Sequence, residues 1–146
     1  MIDIAVQQED FDSAALIAAL EARGPGAVAS FTGLVRGDGG LLAMTLEHWP
    51  GRTEAALQQV AAEAMQRWPL SAIVVRHRHG RMVAGERIVL VVTASAHRAA
   101  ALESCAYVID RLKTDAPFWK KEQFADGEAR WVEARQADDA ARARWG

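Results

Sequence analysis

The chain has 146 residues, 51% of them hydrophobic, which is enough for one domain with a sizeable core and too few for two ordinary ones. A formal net charge of -2 gives no overall drive toward nucleic acid or an acidic membrane, so any anion site must be local. The single cysteine, Cys105, excludes an internal disulfide and a cysteine-rich metal centre, and no apolar run approaches bilayer length.

The N-terminus lacks the basic-then-apolar order of a signal peptide, so a cytoplasmic location is expected. Ile2 to Val6 alternates as a short strand. A helix follows from Ser13 to Ala22, with Asp12 as N-cap, Phe11 and Leu16 spaced for a hydrophobic staple, and Gly24-Pro25 closing it. Ala27 to Val35 reads as a buried strand that ends in the glycine-rich turn Arg36-Gly37-Asp38-Gly39-Gly40. Leu42, Met44, Leu46 and His48 then alternate with polar and small residues, which predicts a hairpin with Arg36 at its tip.

From Thr53 to Arg67, Leu57, Val60, Ala61, Ala64 and Met65 follow helical spacing, with Pro69 just beyond. Ala72 to His79 is expected to be a strand and Gly80 to Gly85 a turn. Glu86 to Ala94 contains Ile88-Val89-Leu90-Val91-Val92, apolar on both faces, as a central strand is. Ser95 is the expected N-cap of a helix that carries Leu102, Cys105, Ala106 and Ile109 on one face and ends near Lys113. Asp126-Gly127 supplies a second hairpin turn with return strand Arg130 to Glu133, and the tail from Ala137 to Trp145 is helix-prone.

The densest chemistry lies in Leu112-Lys113-Thr114-Asp115-Ala116-Pro117-Phe118-Trp119-Lys120-Lys121. Lys113 falls in the last turn of a helix that Pro117 stops, and Lys120 on the extended segment after it, so two elements could bring both amines to one pocket. A lysine is a nucleophile only when neutral, and a nearby cation or partial burial lowers its pKa in that direction. Lys113, expected to pack on the core, is the better candidate for a desolvated amine. Equally simple is a Lys113 that caps a helix and a Lys120 and Lys121 that are solvated strand residues. On the residues alone this second reading carries more weight.

His97 and Arg98 at a helix start would suit an anion, or be two exposed polar residues of a capped turn. His77 and His79 lie two apart on a strand as metal ligands can, yet no acidic residue or cysteine within that strand completes a set, so no metal is assigned. Glu47, Glu54 and Glu103 are scattered, with no acid and base spacing. What remains is a basic set, Arg36, His97 with Arg98, Lys113, and Lys120 with Lys121, which suggests a small anionic substrate.

Several segments carry a resemblance: Phe31-Thr32-Gly33 through Val35-Arg36, Thr45-Leu46-Glu47-His48 with Pro50-Gly51, Arg67-Trp68-Pro69-Leu70, Ser95-Ala96-His97-Arg98, Leu112-Lys113-Thr114, Ala116-Pro117-Phe118-Trp119-Lys120 and Arg130 to Arg135. In this order they resemble the large, catalytic subunit of molybdopterin synthase. The resemblance spans nearly the whole chain. It implies an α+β chain, an α/β hammerhead with a smaller antiparallel β subdomain, forming one domain over residues 1–146.

It also implies a sulfurtransferase, without a cofactor of its own, that converts cyclic pyranopterin monophosphate to molybdopterin. Two sulfurs are inserted as a dithiolene, delivered by the C-terminal Gly-Gly thiocarboxylate of a small ubiquitin-like subunit. Two large subunits would form a homodimer core within a heterotetramer, a reading joined to exposed aromatics such as Trp131 and Trp145. By position, Lys113 and Lys120 match the essential lysines. Phe31, Arg36, His97, Arg98 and Lys121 match substrate-pocket positions, and Arg135 matches an arginine reaching the neighbouring protomer's site. The segment Gly37 to Gly40 is shorter and richer in glycine than the family pattern. A non-catalytic scaffold that binds a pterin or a partner is the alternative.

Overall fold

The structure, a computed structural model, describes residues 1–125, 127, 129–132 and 136–146. In chain order the elements are β1 (Ile2–Gln7), α1 (Ser13–Glu21), β2 (Ala27–Leu34), β3 (Leu41–His48), α2 (Arg52–Arg67), β4 (Leu70–Arg78), β5 (Gly80–Val83), β6 (Arg87–Ser95), α3 (Arg98–Asp115), β7 (Phe118–Phe124), β8 (Ala129–Val132) and α4 (Gln136–Ala143). They build two sheets. The first has order β1-β4-β6-β2, with β1 and β4 parallel and the other pairs antiparallel. The second, β5-β3-β7-β8, is antiparallel throughout. The α+β class is as expected.

The apolar run of β6 is explained by burial on both faces, because successive strand residues point to opposite sides. Val89 and Val91, with Ile73 and Val75 of β4, pack against Leu57, Val60, Ala61 and Ala64 of α2 and against Ala101, Cys105, Val108 and Leu112 of α3. Leu90, Val92 and Ala94, with Ala72 and Val74, meet Phe11, Leu16 and Leu20 at α1. Helix α1 begins as its sequence demands, with Asp12 Oδ1 accepting from the Ala15 amide. A third, small core of Val35, Met44, Leu46 and Met82, joined by Leu41 and Ile88, sits under the second sheet. No helix among the described residues is long and apolar enough to cross a membrane.

Four local expectations change. β2 and β3 do not form a hairpin, for β2 pairs with β6 whereas β3 pairs with β5 and β7. Alternation decides which face a strand buries but not its partner. Here the Val35 amide bonds the Glu86 carbonyl and the Gly85 amide bonds the Val35 carbonyl, so the chain follows β6 beyond β2 before it turns away. The expected turn at Gly80 becomes β5, paired with Ala43 to Leu46. Ser95 is not the N-cap: its buried hydroxyl donates to the Pro69 carbonyl and accepts from the His97 amide, and the cap falls two residues later, at His97. On α3, Leu102 is 63% exposed whereas Ala101, Ser104, Cys105 and Val108 are buried. The buried stripe is thus displaced by one residue.

Cys105 is a core residue, its thiol pushed up to about 11 by burial. Trp131 is exposed as anticipated, but Trp145 packs edge-on against Trp68 and Tyr107, and its indole N–H donates to Asp110. The turn residue Asp126 and the strand end Glu133 lie outside the described residues.

Helix α3 ends in a charged network that binds α4 to it. Burial works against the Asp115 carboxylate, yet hydrogen bonds from Arg142, Arg111 and Thr114 outweigh that and hold its pKa below the ordinary value. The break after α3 is pinned from α2. The fully buried Thr53 hydroxyl accepts from the Trp49 amide at 2.9 Å and donates to the Pro117 carbonyl at 2.9 Å. Thr53→Val keeps the shape and strands both backbone groups. It is expected to lower stability by about 1–3 kcal/mol, read as a reduced urea midpoint with unchanged slope.

Candidate functional site

A cleft of about 630 Å³ opens where the two sheets meet the C-terminal end of α3. Its walls come from Phe31 to Leu34 of β2, Met44 and Leu46 of β3, Ile88 of β6, Leu112 and Lys113 of α3, and Phe118, Lys120 and Glu122 of β7. Arg36, Asp38, His77 and Asp138 complete the polar part. Because strand side chains alternate, Phe118, Lys120 and Glu122 share one face of β7, and that face is the one turned to the cleft. Lys113 arrives from the last helical turn before Ala116 and Pro117. The two lysines therefore reach one space from a helix and a strand, as the break between them allows.

Their surroundings differ. Lys120 Nζ lies 3.8 Å from Glu122 Oε1, with the lysine side chain 32% and the glutamate 19% exposed. Lys113 is exposed in the single chain, contrary to the expectation that it is the more desolvated amine, because Leu112 takes the core-facing position beside it. Arg36 is solvated and paired with Asp38 at 3.3 Å, on a turn where Gly39 and Gly40 hold φ of 66° and 79°. Gly33 of the cleft wall has no room for a side chain, since a Cβ there would stand 2.8 Å from Val89 Cγ1.

The remaining candidates lie elsewhere. Lys121 points away from Lys120, its amine 5.9 Å from the Trp131 ring. His97 and Arg98 are exposed at the N-terminal end of α3. At about 1.5 Å per residue, the helix separates Arg98 from Lys113 by about 22 Å of backbone. Within one chain the structure brings together Phe31, Arg36, Lys113 and Lys120, and does not bring His97, Arg98 or Lys121 to them. Arg135 lies outside the described residues.

Glu122 and His77 are among the cleft residues not singled out for this site from the sequence. Glu122 was detectable, because it lies two positions from Lys120 on a strand. His77 was noticed only beside His79, yet the two histidines have separate neighbours: His79 lies tilted against His48 at 4.3 Å, and His77 stacks on Phe118 at 3.8 Å. His77 is buried, and burial is the main cause of its pKa falling to about 4. The Arg78 carbonyl opposes that fall, whereas Lys113, His48 and His79 add to it. The ring is neutral at physiological pH.

The family model described as MoaE protein matches residues 6–115. A molybdopterin synthase catalytic subunit of Mesorhizobium japonicum is 53% identical over 146 residues, covering 97% of this chain and 92% of its own. The subunit of the same name from Pseudomonas aeruginosa is 54% identical, covering 97% of each chain. Among solved structures, the molybdopterin biosynthesis MoaE protein of Burkholderia ambifaria superposes with a TM-score of 0.86 at 52% identity, over 100% of this chain and 99% of that one. Molybdopterin synthase of Staphylococcus aureus gives 0.81 at 29% identity, over 88% and 95%. The chain belongs to the MoaE family.

Proposed function

We propose that this chain is the catalytic subunit of a molybdopterin synthase, a sulfurtransferase that acts on cyclic pyranopterin monophosphate. The carrying observation is the meeting of Lys113 and Lys120 in one cleft with Arg36 at its rim. Sulfur must come from outside, since Cys105 is buried in the core and its thiol is held protonated. A thiocarboxylate at the C-terminal Gly-Gly of a small ubiquitin-like subunit meets that need. In each transfer a new C–S bond forms on the pterin side chain as a C–O bond there breaks, its oxygen leaving as water or staying with the opened phosphate, while the donor's acyl C–S bond is hydrolysed and the donor leaves as a carboxylate. One lysine engages the incoming terminus or an intermediate and the other serves the proton transfers. Lys120 is suited to the second task because Glu122 beside it can accept a proton.

Residues 1–146 act as one domain, in the cytoplasm. His97, Arg98 and Lys121 are too dispersed to serve this cleft from the same chain. A homodimer in which the neighbouring protomer presents His97, Arg98 and Arg135 supplies the phosphate-binding cations, and the small subunits complete a heterotetramer.

Lys113→Ala and Lys120→Ala are each expected to lower conversion of precursor by about 100-fold or more. Melting should change little at Lys113, where an exposed substitution costs about 0.5 kcal/mol or less. Lys113→Arg is expected to fail as well, since guanidinium keeps its proton. Purified variants with excess thiocarboxylated partner decide this; near-wild-type product from both alanine variants would mean that neither amine takes part in the chemistry.

The dimer is tested by complementation. Arg98→Ala and Lys113→Ala chains, each inactive alone, are expected to regain about a quarter of wild-type activity when unfolded together and refolded, because half the dimers then hold one intact site of two. No recovery in a mixture shown to contain mixed dimers would mean that a single chain supplies both Arg98 and Lys113 to each site, and would overturn the shared-site dimer.

A further inference from the structure

Among the polar side chains of the cleft that the proposed chemistry does not use, His77 is the buried one. His77, at the end of β4, is 6% exposed and lies among cations that serve anionic groups. Its Nδ1 is 2.9 Å from the Arg78 carbonyl, and a carbonyl only accepts, so Nδ1 carries the proton and Nε2 keeps the lone pair. The ring plane is held by Phe118, 3.8 Å away at 18°. Phe118 follows Pro117, so the same pinned break that separates the lysines also sets this stack. Nε2 has no hydrogen-bond partner among the described residues, and His77 lines the cleft. A ring held in one tautomer and one plane costs little to reorganise when a donor arrives.

We propose that His77 is a binding residue of the cleft, whose neutral Nε2 accepts an N–H from the molecule bound there while the cations hold that molecule's anionic groups. This rests on the cleft being the active site. Burial keeps the ring uncharged, with a pKa of about 4, so the acceptor persists across the physiological range. The N–H has two possible sources: the planar heterocycle of the precursor, or the backbone amides of the small subunit's C-terminal Gly-Gly.

Two variants fail differently and share one loss. His77→Phe keeps the stack on Phe118 and strands the Arg78 carbonyl, whereas His77→Asn can still donate to that carbonyl and gives up the stack. Both remove Nε2. Calorimetric titration of each chain with precursor, and separately with the small subunit in its ordinary carboxylate form, reads the consequence. Binding of one of the two is expected to weaken about tenfold in both variants, which identifies the donor. Binding of both molecules within twofold of wild type, in either variant that melts like wild type, overturns the proposal. If Lys120→Ala weakens binding while the histidine variants do not, the proposal falls and the reading of the cleft stands. A wild-type chain that binds neither molecule overturns both.

Discussion

The arrangement of the cleft depends on the break between α3 and β7. Ala116 and Pro117 stop the helix, and the Phe118 amide closes a tight turn on the Ala116 carbonyl. The Pro117 carbonyl would be costly if unpaired in a protein interior, and Thr53 meets it from the first turn of α2. One buried hydroxyl therefore ties three segments, the 49–53 turn, the start of α2 and the start of β7. Through it, Lys113 on the helix, and Phe118, Lys120 and Glu122 on the strand keep a fixed relation. A longer or unpinned connection would leave the two amines to independent motions.

The cleft combines charges that the rest of the fold keeps in balance. Lys120 has a carboxylate neighbour in Glu122, and Arg36 has Asp38, both exposed at 70% and 76%. The Arg36–Asp38 pair, being exposed, is weak in water and readily exchanged for an anionic ligand. His77 is the contrast: burial and nearby positive charge deny it a proton, so it contributes polarity without charge. A site that must take a phosphate, a heterocycle and a carboxyl terminus needs both kinds of group.

Lys113 is exposed in the single chain, and this bears on when it becomes reactive. In the proposed reaction an amine must lose its proton, which open water does not encourage. A docked carboxyl terminus that covers the cleft would exclude water from Lys113 at the moment sulfur is delivered. In the proposed dimer a neighbouring protomer is free of the constraint that holds Arg98 about 22 Å from Lys113 along one helix.

The local elements were legible because their causes are local. Asp12 caps α1, the apolar spacing of Leu57 to Ala64 makes α2, and β6 declares its two buried faces in an unbroken run from Ile88 to Val92. The break at Pro117 likewise follows from the proline ring, so the separation of Lys113 from Lys120 could be read directly. The motif order of these segments matched the family before any packing was known. What only the tertiary structure decided is which segments pair across long stretches of chain. β3 alternates as a hairpin strand should, yet its partners are β5 and β7, because period two specifies a face and leaves the hydrogen-bonding neighbour open. The same holds for His77. Beside His79 it forms a pair with no third ligand, to which no metal is assigned; its ring is placed by Phe118, forty-one residues away, and its protonation is set by burial, which no local pattern encodes.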